Sequence, residues 1–320
     1  MIRSAAACAL VGVQRGVRRF QRRRIASDNA RPRAEGSARS RALVRMVVGC
    51  ALVLAAGHAG ATGSSVSRAH EPSKSSTKAV TAPPPGSSRY TLLQMNLCLS
   101  GFAGCYGKVD YPAGVHEAAA RIRAVRPDAV TLNEACRRDV AQIARRTGYQ
   151  LRFSAVTTAG EALPCIRPAG RGLFGNAVLV KTSVENTDSH DFRVQAGTEW
   201  RGWLCVTTRD VDVCTAHLAT RSTPEATGND AQCAELAALL ERRAATHTVI
   251  FGGDVNRSST CAPDQSWTRT DVSAGQAPGL QGAYGSGTLR SPSLKVLPAR
   301  HTDHDVLMVR ALLSPASPTR

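Results

Sequence analysis

From about residue 90 onward, short apolar runs alternate with longer stretches whose apolar positions recur every three or four residues. The first pattern is that of buried strands and the second that of helices with one buried face. Residues 90–97, 129–133, 149–155, 176–181, 248–251 and 305–310 read as strands. Residues 115–126 have helical spacing that Pro127 ends, and 137–147 form a helix stopped by Gly148. Residues 229–245 form a third helix with Leu236, Leu239 and Leu240 on one side. Residues 203–208 and 211–218 read as a hairpin turning at Arg209-Asp210. Strands interleaved with helices, plus a hairpin, predict an α/β fold with mixed sheets.

The flanks follow a different pattern. Residues 1–45 have no coherent apolar face and carry 12 Arg against Asp28 and Glu35. An apolar run, MVVGCALVLAAGHAGA, then ends in small residues with Ala59-Gly60-Ala61 placed as a cleavage site. Residues 1–61 therefore read as an Arg-rich extension plus signal peptide, and the run is short for a membrane span. A lipobox at Val47-Val48-Gly49-Cys50 and a twin-arginine signal at Arg18-Arg19 are the alternatives, both poorly placed relative to that run. Residues 62–89, rich in Ser, Pro and Thr, read as a disordered linker, 90–313 as the folded domain and 314–320 as a tail. The expectation is a secreted protein with no transmembrane anchor in its mature form, and a monomer.

Charge changes little in this picture. The net charge of +17 is mostly N-terminal; residues 1–45 supply +10, leaving +7 for the remainder. That suits an anionic substrate without specifying nucleic acid. Eight of the ten cysteines lie in the domain, and an even set behind an export signal reads as disulfides. Cys205 and Cys214 stand symmetrically about the hairpin turn, so a cross-strand bond is expected there, and Cys98 with Cys105 would close a small loop. Zinc is the rival reading, but the chain has no CxxC spacing.

Candidate chemistry sits at strand ends. Asn96 ends TLLQMN, Glu134 ends AVTLNE, His217 ends VDVCTAH, and Asp254 and Asn256 follow VIFGG. In open α/β sheets such ends are where ligands bind. Glu134 is a hard carboxylate suited to Mg²⁺, or else an acid favoured by the N-terminus of the following helix. Asp254 and Asn256 read as a catalytic pair or as an Asx turn. His304 between Asp303 and Asp305 is a candidate general base, or part of a polar loop; adjacent side chains on extended backbone point apart, so Asp303 need not orient it.

Taken in order, Gln94-Met95-Asn96, Leu132-Asn133-Glu134, Gly175-Asn176-Ala177-Val178-Leu179, Thr215-Ala216-His217-Leu218, Gly252-Gly253-Asp254-Val255-Asn256 and Thr302-Asp303-His304 resemble the endonuclease/exonuclease/phosphatase superfamily, which includes deoxyribonuclease I. The resemblance implies a four-layer sandwich of two mixed β-sheets flanked by helices. It implies a phosphodiesterase using Mg²⁺, with Mn²⁺ or Ca²⁺ as alternatives, held by Glu134, Asn96 and Asp303. By the same resemblance Asp254 and Asn256 position water or phosphate, His217 steadies phosphate charge, His304 is base or polarising group, and Asn176 shapes the site. An endonuclease acting on nucleic acid is favoured over a sphingomyelinase-like phospholipid phosphodiesterase or a non-catalytic binding module. The chain departs from the family pattern in lacking an Ile-Asp-Tyr segment before the final Asp-His, which leaves Asp271 as a substitute to orient His304, and in having no assignable catalytic tyrosine.

Overall fold

A computed structural model describes residues 86–222 and 226–314. The signal-peptide and tail assignments, and most of the linker, lie outside the described residues. Strands run β1 Ser88–Asn96, β2 Ala129–Cys136, β3 Gln150–Ala155, β4 Thr157–Thr158, β5 Glu161–Ala162, β6 Phe174–Val180, β7 Val184–Asp191, β8 Gly202–Thr208, β9 Asp212–Ala216, β10 Val249–Asp254, β11 Trp267–Thr270, β12 Gln281–Gly285, β13 Leu289–Leu297 and β14 Val306–Leu313. Helices are α1 Ala113–Val125, α2 Arg137–Thr147 and α3 Ala226–Ala244.

Two six-stranded sheets form, in the orders β13-β14-β1-β2-β6-β3 and β11-β12-β10-β9-β8-β7. Both are mixed: β1 pairs with β2, and β9 with β10, in parallel, while the other pairings are antiparallel. Leu92, Ala129, Val178 and Val180 of the first sheet meet Leu204, Val206, Val213 and Ile250 of the second in a core between them. Val115, Ala118, Ile122, Val140 and Ile143 of α1 and α2 cover the outer face of the first sheet with Leu93, Val130 and Leu179. Leu236, Leu239 and Leu240 of α3 cover the second with Phe251 and Tyr284. The result is the expected four-layer sandwich.

The period of two along each strand explains both the layering and the site. On β1, Leu93 and Met95 face the helices while Leu92, Gln94 and Asn96 face the second sheet. The inward row thus turns from apolar to polar toward the ends of the parallel strands. Gln94, Thr131, Asn133, Asn176, Thr215 and Gln281 form the polar zone, all buried. Asn133 is its hub. Its Oδ1 accepts from Gln94 Nε2 and from the Asp254 backbone N–H, both at 2.8 Å, and its Nδ2 reaches Asn176 Oδ1 at 3.0 Å and Thr215 Oγ1 and Ala216 O at 3.3 Å. A buried network with its members satisfied ties the sheets at one register.

All eight domain cysteines pair: Cys98–Cys105, Cys136–Cys165, Cys205–Cys214 and Cys233–Cys261. Cys205 and Cys214 are direct cross-strand partners with a Cα separation of 4.1 Å, as the hairpin reading expected.

Candidate active site

At the ends of β1, β2, β9 and β10 the polar row opens into a cleft of about 380 Å³, with Glu134, Arg201, His217, Asp254, Asn256, Asp303 and His304 among its lining residues. Glu134 reaches it through a break in the alternation. The β2–β6 register shifts between Leu132 and Ala135, and Glu134 adopts φ +50°. Strict alternation would send this carboxylate to the helix side with Val130 and Leu132; the bulge turns it inward instead. A non-glycine residue held at positive φ is strained backbone of the kind that gathers at functional sites.

Asp254 is delivered by Gly252-Gly253. A Cβ at Gly252 would lie 2.5 Å from Thr131 Oγ1 across the sheet interface, and one at Gly253 would lie 2.3 Å from Ala216 O. Both positions require glycine for the sheets and strands to approach. Asp254 Oδ1 accepts from the Asn256 N–H at 3.0 Å, so the Asx turn forms. Asn256, at φ +52°, nonetheless extends its amide to Leu218 O at 2.9 Å and to His217 Nε2 at 3.0 Å. The turn and the site placement are one arrangement.

Asn96 Nδ2 lies 3.0 Å from Glu134 Oε1 and 2.9 Å from Asp254 Oδ2, so one amide donates to carboxylates from both sheets. Its Oδ1 accepts from the Cys98 N–H. As placed, Asn96 is a donor that spaces the two acids, whereas a metal ligand would present its oxygen. Asn176 is buried against Asn133 and does not line the cleft. Thr302 Oγ1 donates to Asn96 O at 2.8 Å, and this fastens the Asp303-His304 segment to the end of β1.

His304 lies between two acids. Its Nδ1 is 2.9 Å from Asp303 Oδ1, and its Nε2 is 3.2 Å from Asp254 Oδ2 without the alignment of a hydrogen bond. Asp303 therefore does orient its neighbour, because the backbone here bends and is not extended. Asp271 is engaged elsewhere; its carboxylate accepts from Gln281 N and Nε2.

His217 Nδ1 lies 2.6 Å from an Arg201 guanidinium nitrogen. Arginine only donates, and the Asn256 amide nitrogen at Nε2 is a donor as well, so the two compete for the single lone pair of the neutral ring; Nε2 lies 4.0 Å from Glu134 Oε1 and 3.7 Å from Asp254 Oδ2. Arg201, also paired with Glu199, is a site residue that the strand-end reading missed. Its only signal was a charge between Trp200 and Trp203 just before a strand.

The electrostatics follow from burial and crowding. Burial, reinforced by Asp254 and Asp303 and opposed by the Asn96 hydrogen bond and Arg201, pushes the Glu134 carboxyl up to about 7. Burial and the Arg201 charge push His217 down to about 3, so it is neutral at physiological pH. Burial also works to lower His304, but the flanking carboxylates of Asp254 and Asp303 outweigh it and carry the ring up to about 10. Burial would raise Asp254, yet the surrounding imidazoles and the Asn96 amide hold it well below the usual carboxylate range.

Three carboxylates converge, one of them held near its neutral form by burial and, to a smaller extent, by the other two. An all-oxygen donor set of this kind fits a hard divalent cation. Cys98 and Cys105 lie beside Glu134, but their sulfurs are joined in a disulfide and are no longer thiolate ligands.

A four-layer sandwich with acids and imidazoles from both sheets at the strand ends defines a class of phosphoester hydrolases. The model of the endonuclease/exonuclease/phosphatase family matches residues 105–304, and the chain belongs to that family. Enzymes of this family are generally divalent-metal dependent. A search of curated proteins returns no match. Among solved structures the fold is similar to truncated Caenorhabditis elegans TDP2 (TM-score 0.52, 17% identity, 70% of this chain and 97% of that one). It is also similar to an endonuclease/exonuclease/phosphatase from Beutenbergia cavernae (0.55, 18%, 72% and 73%). The human nocturnin catalytic domain with bound sulfate is a third (0.50, 16%, 72% and 99%).

Proposed function

We propose that this chain is a secreted, divalent-metal-dependent phosphodiesterase acting on nucleic acid. The observation that carries the reading is the meeting of Glu134, Asp254 and Asp303 with His217 and His304 in one cleft between the sheets. Glu134 and Asp303 would hold the cation, with Asn96 keeping Glu134 and Asp254 at their spacing. When bound, the cation neutralises non-bridging phosphate oxygens and the developing charge on the leaving oxygen. Asp254, ionised and fixed by Asn133 and Asn96, orients the attacking water with Asn256. His217, neutral and held between the Arg201 and Asn256 donors, steadies the phosphate from the second sheet. His304, charged between two carboxylates, suits polarisation of the phosphate better than removal of a proton. Asn176 acts at one remove, through Asn133. Four disulfides support an extracellular setting, and no helix among the described residues is long and apolar enough to cross a membrane.

The test is hydrolysis of bis(p-nitrophenyl) phosphate and of oligonucleotides with Mg²⁺, Mn²⁺ or Ca²⁺ and with EDTA. Metal-dependent cleavage of both is expected, with a loss of about 10²–10³ in kcat for His304→Ala. Cleavage that persists in EDTA, or an unaffected Glu134→Gln variant, would remove the reading.

A further inference from the structure

Four carboxylates line the cleft, those of Glu134, Glu199, Asp254 and Asp303, and Arg201 is the only arginine or lysine among the described residues that does so. A phosphodiester is itself an anion, and further negative charge develops on its oxygens as water attacks. A cleft so rich in acids therefore needs a fixed cation aimed at the phosphate.

Arg201 is built into such a place. Its N–H donates to Gln195 Oε1 at 2.6 Å, and its carbonyl accepts from Gln195 Nε2 at 2.8 Å and from the Phe192 N–H at 2.9 Å. Gly202, the next residue, packs so closely on β7 that a Cβ there would lie 2.6 Å from His190 O. With the backbone clamped, the side chain is 12% exposed and lies between Glu199 Oε2 and His217 Nδ1, each 2.6 Å from a guanidinium nitrogen. These two contacts engage only part of a planar donor fork whose geometry matches phosphate oxygens.

The hydrogen-bond count around His217 points the same way. A neutral imidazole offers a single lone pair and a single N–H. Arg201 approaches Nδ1, and Asn256 Nδ2 approaches Nε2 at 3.0 Å. The Asn256 amide is not free to turn over, because the same nitrogen donates to Leu218 O at 2.9 Å. Whichever ring nitrogen carries the proton, three donors meet one acceptor. Glu134 Oε1 and Asp254 Oδ2, at 4.0 and 3.7 Å from Nε2, are too far to serve as a second. An anionic oxygen entering beside the ring and the guanidinium resolves the conflict.

We propose that Arg201 is a catalytic residue that grips a non-bridging oxygen of the scissile phosphate, and that Glu199 is a positioning residue that aims it. The proposal rests on the phosphodiesterase reading above and adds a phosphate-binding pair to it. The charge of Arg201 already acts on Glu134. Glu199 holds one edge of the guanidinium and so keeps it from collapsing onto the metal-binding carboxylates.

The experiment follows bis(p-nitrophenyl) phosphate hydrolysis by the full chain with Mg²⁺ or Mn²⁺, in wild type, Arg201→Ala, Arg201→Lys, Glu199→Ala and Glu199→Gln. Arg201→Ala is expected to lose about 10²–10³ in kcat. Added guanidinium, below denaturing concentrations, should restore part of that loss and give wild type no gain. Arg201→Lys should stay well below wild type, because one ammonium does not hold Glu199, His217 and a phosphate oxygen together. Glu199→Ala should lower kcat with little change in KM, and Glu199→Gln, which keeps an oxygen for the guanidinium, should recover most of it. The metal-induced rise in Tm should survive in every variant. Either Arg201 variant turning over at the wild-type rate, or an Arg201→Ala loss that guanidinium leaves untouched, overturns the proposal. A metal-induced rise lost with Arg201 also overturns it, by assigning the residue to the metal set. Full kcat in Glu199→Ala removes the positioning role. If Arg201→Ala does not fold, the lysine variant decides. Wild type inactive on the diester with every metal overturns the phosphodiesterase reading itself, whereas active wild type with equally active Arg201 variants overturns this proposal alone.

Discussion

Asn133 shows how much can depend on one amide in a sandwich interior. It satisfies the Asp254 backbone N–H, the Gln94 and Asn176 side chains and Ala216 O at once. Leucine is close in volume but leaves all four groups without that partner, and a buried unsatisfied polar group costs about 1–3 kcal/mol. Asn133→Leu is therefore expected to lose at least about 3 kcal/mol in urea unfolding, with no compensating gain from its added apolar area. Glu117 makes the corresponding case for charge. It accepts from Arg121 and from the Arg300 and His301 backbone N–H groups, steadying the approach to Asp303. Burial works to raise its carboxyl, and these hydrogen bonds more than offset it, leaving it below its ordinary 4.5. A carboxyl depressed on folding stabilises the fold fully above its unfolded value and loses that contribution as pH falls through its folded one. The Tm gap between wild type and Glu117→Gln should be widest above the ordinary carboxyl value of 4.5 and narrow as pH falls below it, through the depressed value of the folded carboxyl. A gap that stays constant across that range would show that the charge contributes nothing.

The elements work by letting strands approach where glycine permits. Gly252 sits where β10 crosses β1 and β2, and an added methyl meets Thr131 Oγ1 at 2.5 Å and a Leu92 methyl at 3.0 Å. Overpacking of this kind costs typically about 1–3 kcal/mol. Gly252→Ala should lose that much in denaturant and also lower kcat, because relief requires sheet separation and the two sheets each carry part of the site. A stability loss with full kcat would show that the strain is absorbed without opening the interface. The same close packing explains what could be read from the chain beforehand. Strands buried on both faces, such as β1 and β6, announce themselves as apolar runs, and α2 ends at Gly148 as its spacing predicts, with Gly148 at φ +78°. β7, VENTDSHD, is an exposed edge strand with no apolar face to reveal it, and β12, QGAYG, owes its strand form to neighbours far away in sequence. Site residues at strand ends were legible for the reason that β1 and β2 were. Arg201 and the Asp303–His304 bond were not, because each depends on a loop whose course is set by tertiary contacts: Gln195 for one, Thr302 on Asn96 O for the other.

For the whole molecule, the site is an assembly product. Asn96 and Glu134 stand on the first sheet and Asp303-His304 just before its β14, while Asp254 stands on the second, with Arg201, His217 and Asn256 on loops flanking its β8, β9 and β10. Crowding of Glu134 by Asp254 and Asp303 is then a cost carried by the folded state alone, since the unfolded chain separates these acids. A divalent cation that binds only the folded form would reverse this cost and stabilise by mass action, about 2.7 kcal/mol at a hundred times its Kd. For a domain of this size that corresponds to a rise in Tm of roughly 5–10 °C. Glu134→Gln should abolish the metal-induced rise. It should also leave the Tm in EDTA equal to or above that of wild type, because a neutral amide replaces a buried acid among acids. The two halves of this result separate a ligand from a structural residue: a structural Glu134 would lower the Tm in EDTA when replaced, and a carboxylate outside the metal set would leave the rise intact.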